Sequence, residues 1–152
     1  MAYPTRPFKC WAKAKENRRN QWSDVMTAKD RGVPLAMGGT GHNIILCGLG
    51  DVAYLPGEPY GAEVSAHPEF AKRVAEAVDN RGFGSDLCGY LRNYWGSVFL
   101  RETPWGPFPK PDLVIQGHAC DSHGKWFRRV AEELGAPYFD GPCGAVSLQP
   151  GA

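Results

Sequence analysis

The stretch from Asp112 to Phe139 constrains the fold more than any other part of the chain. Asp112-Leu113-Val114-Ile115-Gln116-Gly117 is a short apolar run closed by glycine, the pattern of a buried strand. Behind it, Ser122 to Leu134 has the spacing of an amphipathic helix, with Trp126, Phe127, Val130 and Leu134 inward. Gly135-Ala136-Pro137 stops that helix and Tyr138-Phe139 starts a second strand. Strand, helix and strand in this order form a right-handed parallel unit. The expected fold class is therefore α/β, a parallel-sheet domain of Rossmann or flavodoxin-like type. In such sheets ligands sit at the carboxyl ends of the strands, here Gly117 to Asp121 and Asp140 to Cys143.

The remaining segments fit one domain over residues 1–152. Residues 8–31 predict a first helix with Trp11, Trp22, Val25 and Met26 on one face and Lys13, Lys15, Glu16, Arg18 and Arg19 on the solvated other. Pro34-Leu35-Ala36-Met37 and Asn43-Ile44-Ile45-Leu46-Cys47 are short apolar runs separated by the glycine-rich turn Gly38 to Asn43. That turn matches neither phosphate-binding fingerprint. Pro68 and Glu69 open another helix, capped by Ser65 or His67, with Phe70, Val74, Ala77 and Val78 inward. A further helix is expected from Ser85-Asp86 through Val98, and Thr103 to Pro111 is too rich in proline to be regular. The tail from Asp140 to Ala152 completes no sheet. So few strands leave an apolar edge or face exposed, and the chain is expected to be cut short or to depend on another subunit.

Composition narrows the function classes. Seventeen Lys and Arg against sixteen Asp and Glu give a formal charge of +1, which disfavours a general nucleic-acid binder. No apolar run is long enough to span a membrane and no secretory signal opens the chain. A cytoplasmic location is expected, where thiols stay reduced. Five cysteines at irregular spacing fit free or metal-held thiols better than a disulfide framework.

Two cysteines stand where chemistry is expected. Cys88 follows a glycine-rich break near a helix start, and Cys120 follows a strand end in Gly117-His118-Ala119-Cys120-Asp121-Ser122-His123. Two thiolates from separate loops suit a metal or an iron–sulfur cluster. Zinc held by His118, Cys120, His123 and Cys88 is a second reading, and a Cys120–histidine nucleophilic pair a third. Ordinary buried thiols and helix-capping residues remain the bland alternative.

Longer segments carry a resemblance. Arg81-Gly82-Phe83-Gly84-Ser85-Asp86-Leu87-Cys88-Gly89-Tyr90-Leu91-Arg92-Asn93-Tyr94-Trp95-Gly96-Ser97 resembles the first cluster-cysteine segment of the benzoyl-CoA reductase and 2-hydroxyacyl-CoA dehydratase family. Pro109 to Ile115 leading to Cys120-Asp121-Ser122-His123-Gly124-Lys125-Trp126 resembles the second, and Gly48 to Asp51 with Gly57 to Ala62 resembles the ATP-dependent reductase branch. The resemblance implies a [4Fe-4S] cluster with Cys88 and Cys120 as its first two protein ligands. It implies a related cluster-binding subunit as partner and a separate ATP-hydrolysing activator fed by ferredoxin, with ATP bound by those partners. The substrate would be an aromatic acyl-CoA, whose ring is reduced to a cyclohexadiene thioester. The family's second α/β domain, which brings a third cysteine, has no counterpart here, so the expected protein is a partial catalytic subunit. A 2-hydroxyacyl-CoA dehydratase subunit and a non-catalytic, partner-binding remnant are the alternatives. The loops Gly38 to Asn43 and Trp105 to Phe108 are expected to line the thioester pocket.

Overall fold

A computed structural model describes residues 6–42, 46–117 and 120–141. Helix α1 (Trp11–Thr27) leads into strand β1 (Leu35–Gly38) and, past a 3-10 turn at Cys47–Leu49, strand β2 (Ala53–Pro56). Helices α2 (Gly57–Ser65), α3 (Pro68–Asp79) and α4 (Gly89–Leu100) follow, then a short hairpin of β3 (Glu102–Thr103) and β4 (Gly106–Pro107). Strand β5 (Leu113–Gln116), helix α5 (Asp121–Leu134) and strand β6 (Tyr138–Asp140) complete the order. The sheet is parallel throughout and runs β2-β1-β5-β6, so the expected β5–α5–β6 unit is present and pairs directly. Chain order leaves β1 toward β2 on one side and resumes at β5 on the other. The topological switch point, where such sheets open a crevice, therefore lies between β1 and β5.

One face of the sheet, with Leu35, Met37, Ala53, Leu55 and Val114, is buried against the helices. Aromatic rings fill this core. Fully buried Tyr94 meets Tyr60, Phe108, Trp126 and Phe127 edge-on, with centroids 5.2 to 5.9 Å apart. The other face carries Ala36 and Ile115 with the partly buried Tyr54, Leu113 and Phe139, covered among the described residues by Leu46 and Val52. Two glycines set close approaches: a Cβ at Gly57 would run into the Phe127 ring, and one at Gly96 into the backbone of Val74.

Several expectations are corrected. Helix α4 starts at Gly89 rather than Ser85, because Gly84 to Leu87 form a turn and Cys88 takes extended backbone as the N-cap (φ −48°, ψ 127°). Strand β2 and helix α2 were not foreseen. Their prolines are tolerated because Pro56 closes a strand and Pro59 falls in a helix's first turn. The proline-rich segment contains a two-residue hairpin. Trp22 and Val25 face inward as expected, but Trp11 is exposed.

Candidate functional site

Strands β1 and β2 end in register, with Gly38 beside Pro56. Two residues further along each strand, Thr40 and Glu58 meet. Glu58 Oε2 accepts hydrogen bonds from the Thr40 amide and the Thr40 hydroxyl, both at 2.8 Å. Its other oxygen, Oε1, lies 2.9 Å from Nε2 of His123 in the first turn of α5. Glu58 itself sits in the first turn of α2, where outward-pointing amides favour a carboxylate. One carboxylate thus ties the β1 loop, α2 and α5 together at the carboxyl edge of the sheet. Its side chain keeps 23% exposure, while the His123 residue keeps 8%.

The same edge is braced from β2 and from the β1 loop. The Tyr54 hydroxyl donates to the Gly39 carbonyl at 2.5 Å, and His42 Nδ1 approaches the same oxygen at 3.0 Å. Burial first, and the nearby Glu58 charge second, push the Tyr54 phenol well above its ordinary value, so it remains a neutral donor. His42 presents Nε2 to Gly117 at the end of β5, 2.5 Å from where a Cβ would stand. The His42 ring therefore bridges the two strand ends that flank the switch point, and any side chain at position 117 would displace it.

The two predicted cysteines come from the helices behind this edge. Helices α4 and α5 run in the same direction and in step. Trp95 Nε1 donates to the Trp126 carbonyl at 3.1 Å, and Arg101 donates to the Glu133 carbonyl at 2.6 Å. These pairs are separated by 31 and 32 residues, and Cys88 and Cys120 are separated by 32. The N-caps of the two helices therefore lie at the same end of the pair. Cys88 caps α4 and Cys120 caps α5, and both are free and exposed.

Cysteine thiolates are the ligand type that iron–sulfur clusters take. Among the described residues no group of three or more His, Cys, Asp or Glu side chains could hold a metal ion. Of the ligands in the zinc reading, His123 has its Nε2 facing Glu58 Oε1 at 2.9 Å. His118 and Cys143 lie outside the described residues, and so does Asn43 of the glycine-rich turn. The Gly38 to His42 part of that turn is at the site. Trp105 to Phe108 is not joined to it in the same way. Trp105 stacks on Trp22 at 5.2 Å and Phe108 is buried, while Pro107 to Asp112 border a cavity of about 470 Å³ beside Leu35, at the start of β1.

Glu58, Thr40 and the pairing of His123 with Glu58 escaped the sequence reading. Eighteen residues separate Thr40 from Glu58, and only the β1–β2 register brings them together. The signal that would have found them is the strand Ala53–Pro56 running straight into a helix.

Among the described residues no helix is long and apolar enough to cross a membrane. No protein-family model matches the chain. The (R)-phenyllactyl-CoA dehydratase alpha subunit of Clostridium sporogenes is 28% identical over 81 residues, 53% of this chain and 20% of that protein. The (R)-2-hydroxyisocaproyl-CoA dehydratase alpha subunit of Clostridioides difficile is 25% identical over 118 residues, 77% of this chain and 29% of that protein. The matched segments thus cover less than a third of either relative. The chain is distantly and partially similar to the alpha subunits of 2-hydroxyacyl-CoA dehydratases.

Proposed function

We propose that the chain is a cysteine-bearing α/β domain of a 2-hydroxyacyl-CoA dehydratase-type catalytic subunit, with Cys88 and Cys120 holding two corners of a [4Fe-4S] cluster. The observation that carries this reading is the in-step pairing of α4 and α5, which starts both helices with a free cysteine at one end. Both relatives are named as alpha subunits of dehydratases acting on (R)-2-hydroxyacyl thioesters, which supports dehydration over reduction of a benzoyl ring. In this reading residues 1–152 pair with a related subunit and are served by an ATP-hydrolysing activator.

When bound, the cluster supplies one-electron chemistry to the thioester. The chain's own residues handle the proton. Dehydration of a 2-hydroxyacyl thioester removes a hydroxyl from C2 and a proton from C3, and the two leave as water. In this reading Glu58 is the base: a carboxylate at the sheet's carboxyl edge whose side chain keeps 23% exposure. Thr40 holds one of its oxygens through two hydrogen bonds and His123 faces the other, so the carboxylate cannot swing away. Tyr54 and His42 fix the Gly39 carbonyl and keep the Thr40 loop in place.

Anaerobic reconstitution with iron and sulfide tests the ligand assignment. Cys88→Ala and Cys120→Ala are each expected to lose bound iron and acid-labile sulfide, whereas Cys10→Ala keeps both. Retention of iron by the first two variants overturns the assignment, and zinc without sulfide overturns the cluster. Turnover with (R)-2-hydroxyacyl-CoA and benzoyl-CoA in the presence of the activator then decides the chemistry. Release of water from the hydroxyacyl thioester is expected, and ring reduction instead would overturn the dehydratase reading.

A further inference from the structure

Helix α1 begins outside the body of the protein. Every residue from Arg6 to Gln21 is exposed, although the helix is formed from Trp11, and burial starts only at Trp22 and Val25. Trp11 stands three turns before Trp22 and shares its face, yet it is 53% exposed. Phe8, 69% exposed, meets Trp11 edge-on at 5.9 Å. The face that Trp22 and Val25 bury therefore continues into solvent past Lys15 and Arg18, which the sequence pattern had assigned to the opposite face, and ends in two large rings. A helical extension this short is marginal in water unless something packs against it.

Charge separates this arm from the rest of the molecule. Residues 6–21 carry six basic side chains and one acidic one, whereas the remainder of the chain carries eleven basic and fifteen acidic. Lys13 pairs with Glu16, and Arg18 reaches back to Glu63 of α2 at 3.3 Å. Lys9, Lys15 and Arg19 have no ion-pair partner among the described residues. Two such arms repel each other, and the complementary surface at hand is the acidic remainder of another copy. A lipid surface fits less well. An in-plane membrane helix needs a continuous apolar face, and Lys15 and Arg18 interrupt the face that Trp11 shares with Trp22.

We propose that residues 6–21 are a docking arm that binds a second copy of this chain. Phe8 and Trp11 seat on its surface, while Lys9, Lys15 and Arg19 face its acidic side chains. Reciprocal exchange of arms closes a twofold dimer.

Sedimentation velocity of the full chain over a range of concentrations tests this, at about 0.05 M and about 0.5 M salt. A reversible dimer is expected at low salt, with a dissociation constant raised about tenfold or more at high salt. Trp11→Ala, and Lys9→Glu with Lys15→Glu and Arg19→Glu, are expected to raise it similarly. Because these side chains are exposed, the monomer's thermal unfolding is expected to stay unchanged, which separates lost docking from lost folding. A monomer at every concentration in low salt overturns the proposal. So does a dimer indifferent to the arm variants, or an arm-dependent monomer that co-sediments with phosphatidylserine vesicles.

Discussion

Substituting Gly96 by alanine sets a local preference against a packing requirement, and the structure says which wins. In an isolated helix interior the change favours folding by roughly 1 kcal/mol. In α4 the added Cβ would stand 2.5 Å from Val74 Cβ and 2.6 Å from the Val74 carbonyl carbon, and closer still to its oxygen. Ordinary contact begins near 3.4 Å, so α3 and α4 must part by about 1 Å in a close-packed interior. The obstacle is backbone, which cannot rotate aside. Overpacking of this kind costs about 3 kcal/mol or more, since the spreading also loosens the fully buried Val74, Val78 and Val98. The net expectation is a loss of about 2 to 3 kcal/mol, a fall in Tm of about 5 to 10 °C for a chain this size. Gly89 supplies the control within the same helix. Its Cβ would meet open space, so Gly89→Ala is expected to leave stability unchanged or raise it by up to about 1 kcal/mol. Urea unfolding followed by tryptophan fluorescence measures both. Equal midpoints for the two variants would refute the packing argument.

Glu58→Gln is expected to lower kcat by about a hundredfold or more with little change in KM or in unfolding midpoint, since the amide keeps its shape and loses its basicity; an unaltered kcat would remove Glu58 from the proton step. Thr40→Ala removes one of the two donors to Glu58 Oε2 and is expected to have a smaller effect on kcat, of about tenfold; an effect as large as that of Glu58→Gln would mean that Thr40 does more than orient it. Alkaline stability follows from four tyrosines. Burial, the largest cause in each, pushes the phenols of Tyr54, Tyr60, Tyr94 and Tyr138 up, that of Tyr138 to about 12. The native state then keeps protons that the unfolded chain releases above pH 10, so stability is intact below pH 10 and falls as pH climbs toward 12. For Tyr60 and Tyr94, both without exposed surface, the slope is about 1.4 kcal/mol per pH unit each, and urea midpoints that stay level from about pH 9 to about pH 11.5 would contradict it.

The parts of the fold that were legible in the sequence are those in which one short signal sufficed. Leu113 to Gln116 and Tyr138 to Asp140 are apolar or aromatic runs bounded by glycine or proline, and α5 shows a clear inward stripe between them. Ala53 to Pro56 is equally apolar but runs into Gly57-Glu58-Pro59, and proline and glycine there read as loop although they fall at a strand end and a helix start. Trp11 has the right spacing for a buried face, but spacing gives a direction, not a neighbour, and among the described residues its ring meets only the exposed Phe8. The cysteines stand out in the sequence because each follows a break in the pattern. Thr40 and Glu58 were not, because each is unremarkable in its own segment. Parallel pairing makes them neighbours, and pairing between distant strands leaves no local trace.

Cys88 and Cys120 are carried at the tips of two helices whose mutual position is set elsewhere. Six residues inward, Tyr94 and Trp95 grip Trp126, and at the far end Arg101 holds the Glu133 carbonyl. The pair acts as a caliper, with the two sulfurs on its jaws and the beam behind them. The β3–β4 hairpin that follows α4 folds back onto that beam, with the Phe108 ring edge-on to Tyr94 and the Phe108 amide donating to the Arg101 carbonyl at 2.9 Å. A substitution at Arg101, at the opposite end of α4 from Cys88, removes one of the bonds that hold the beam together.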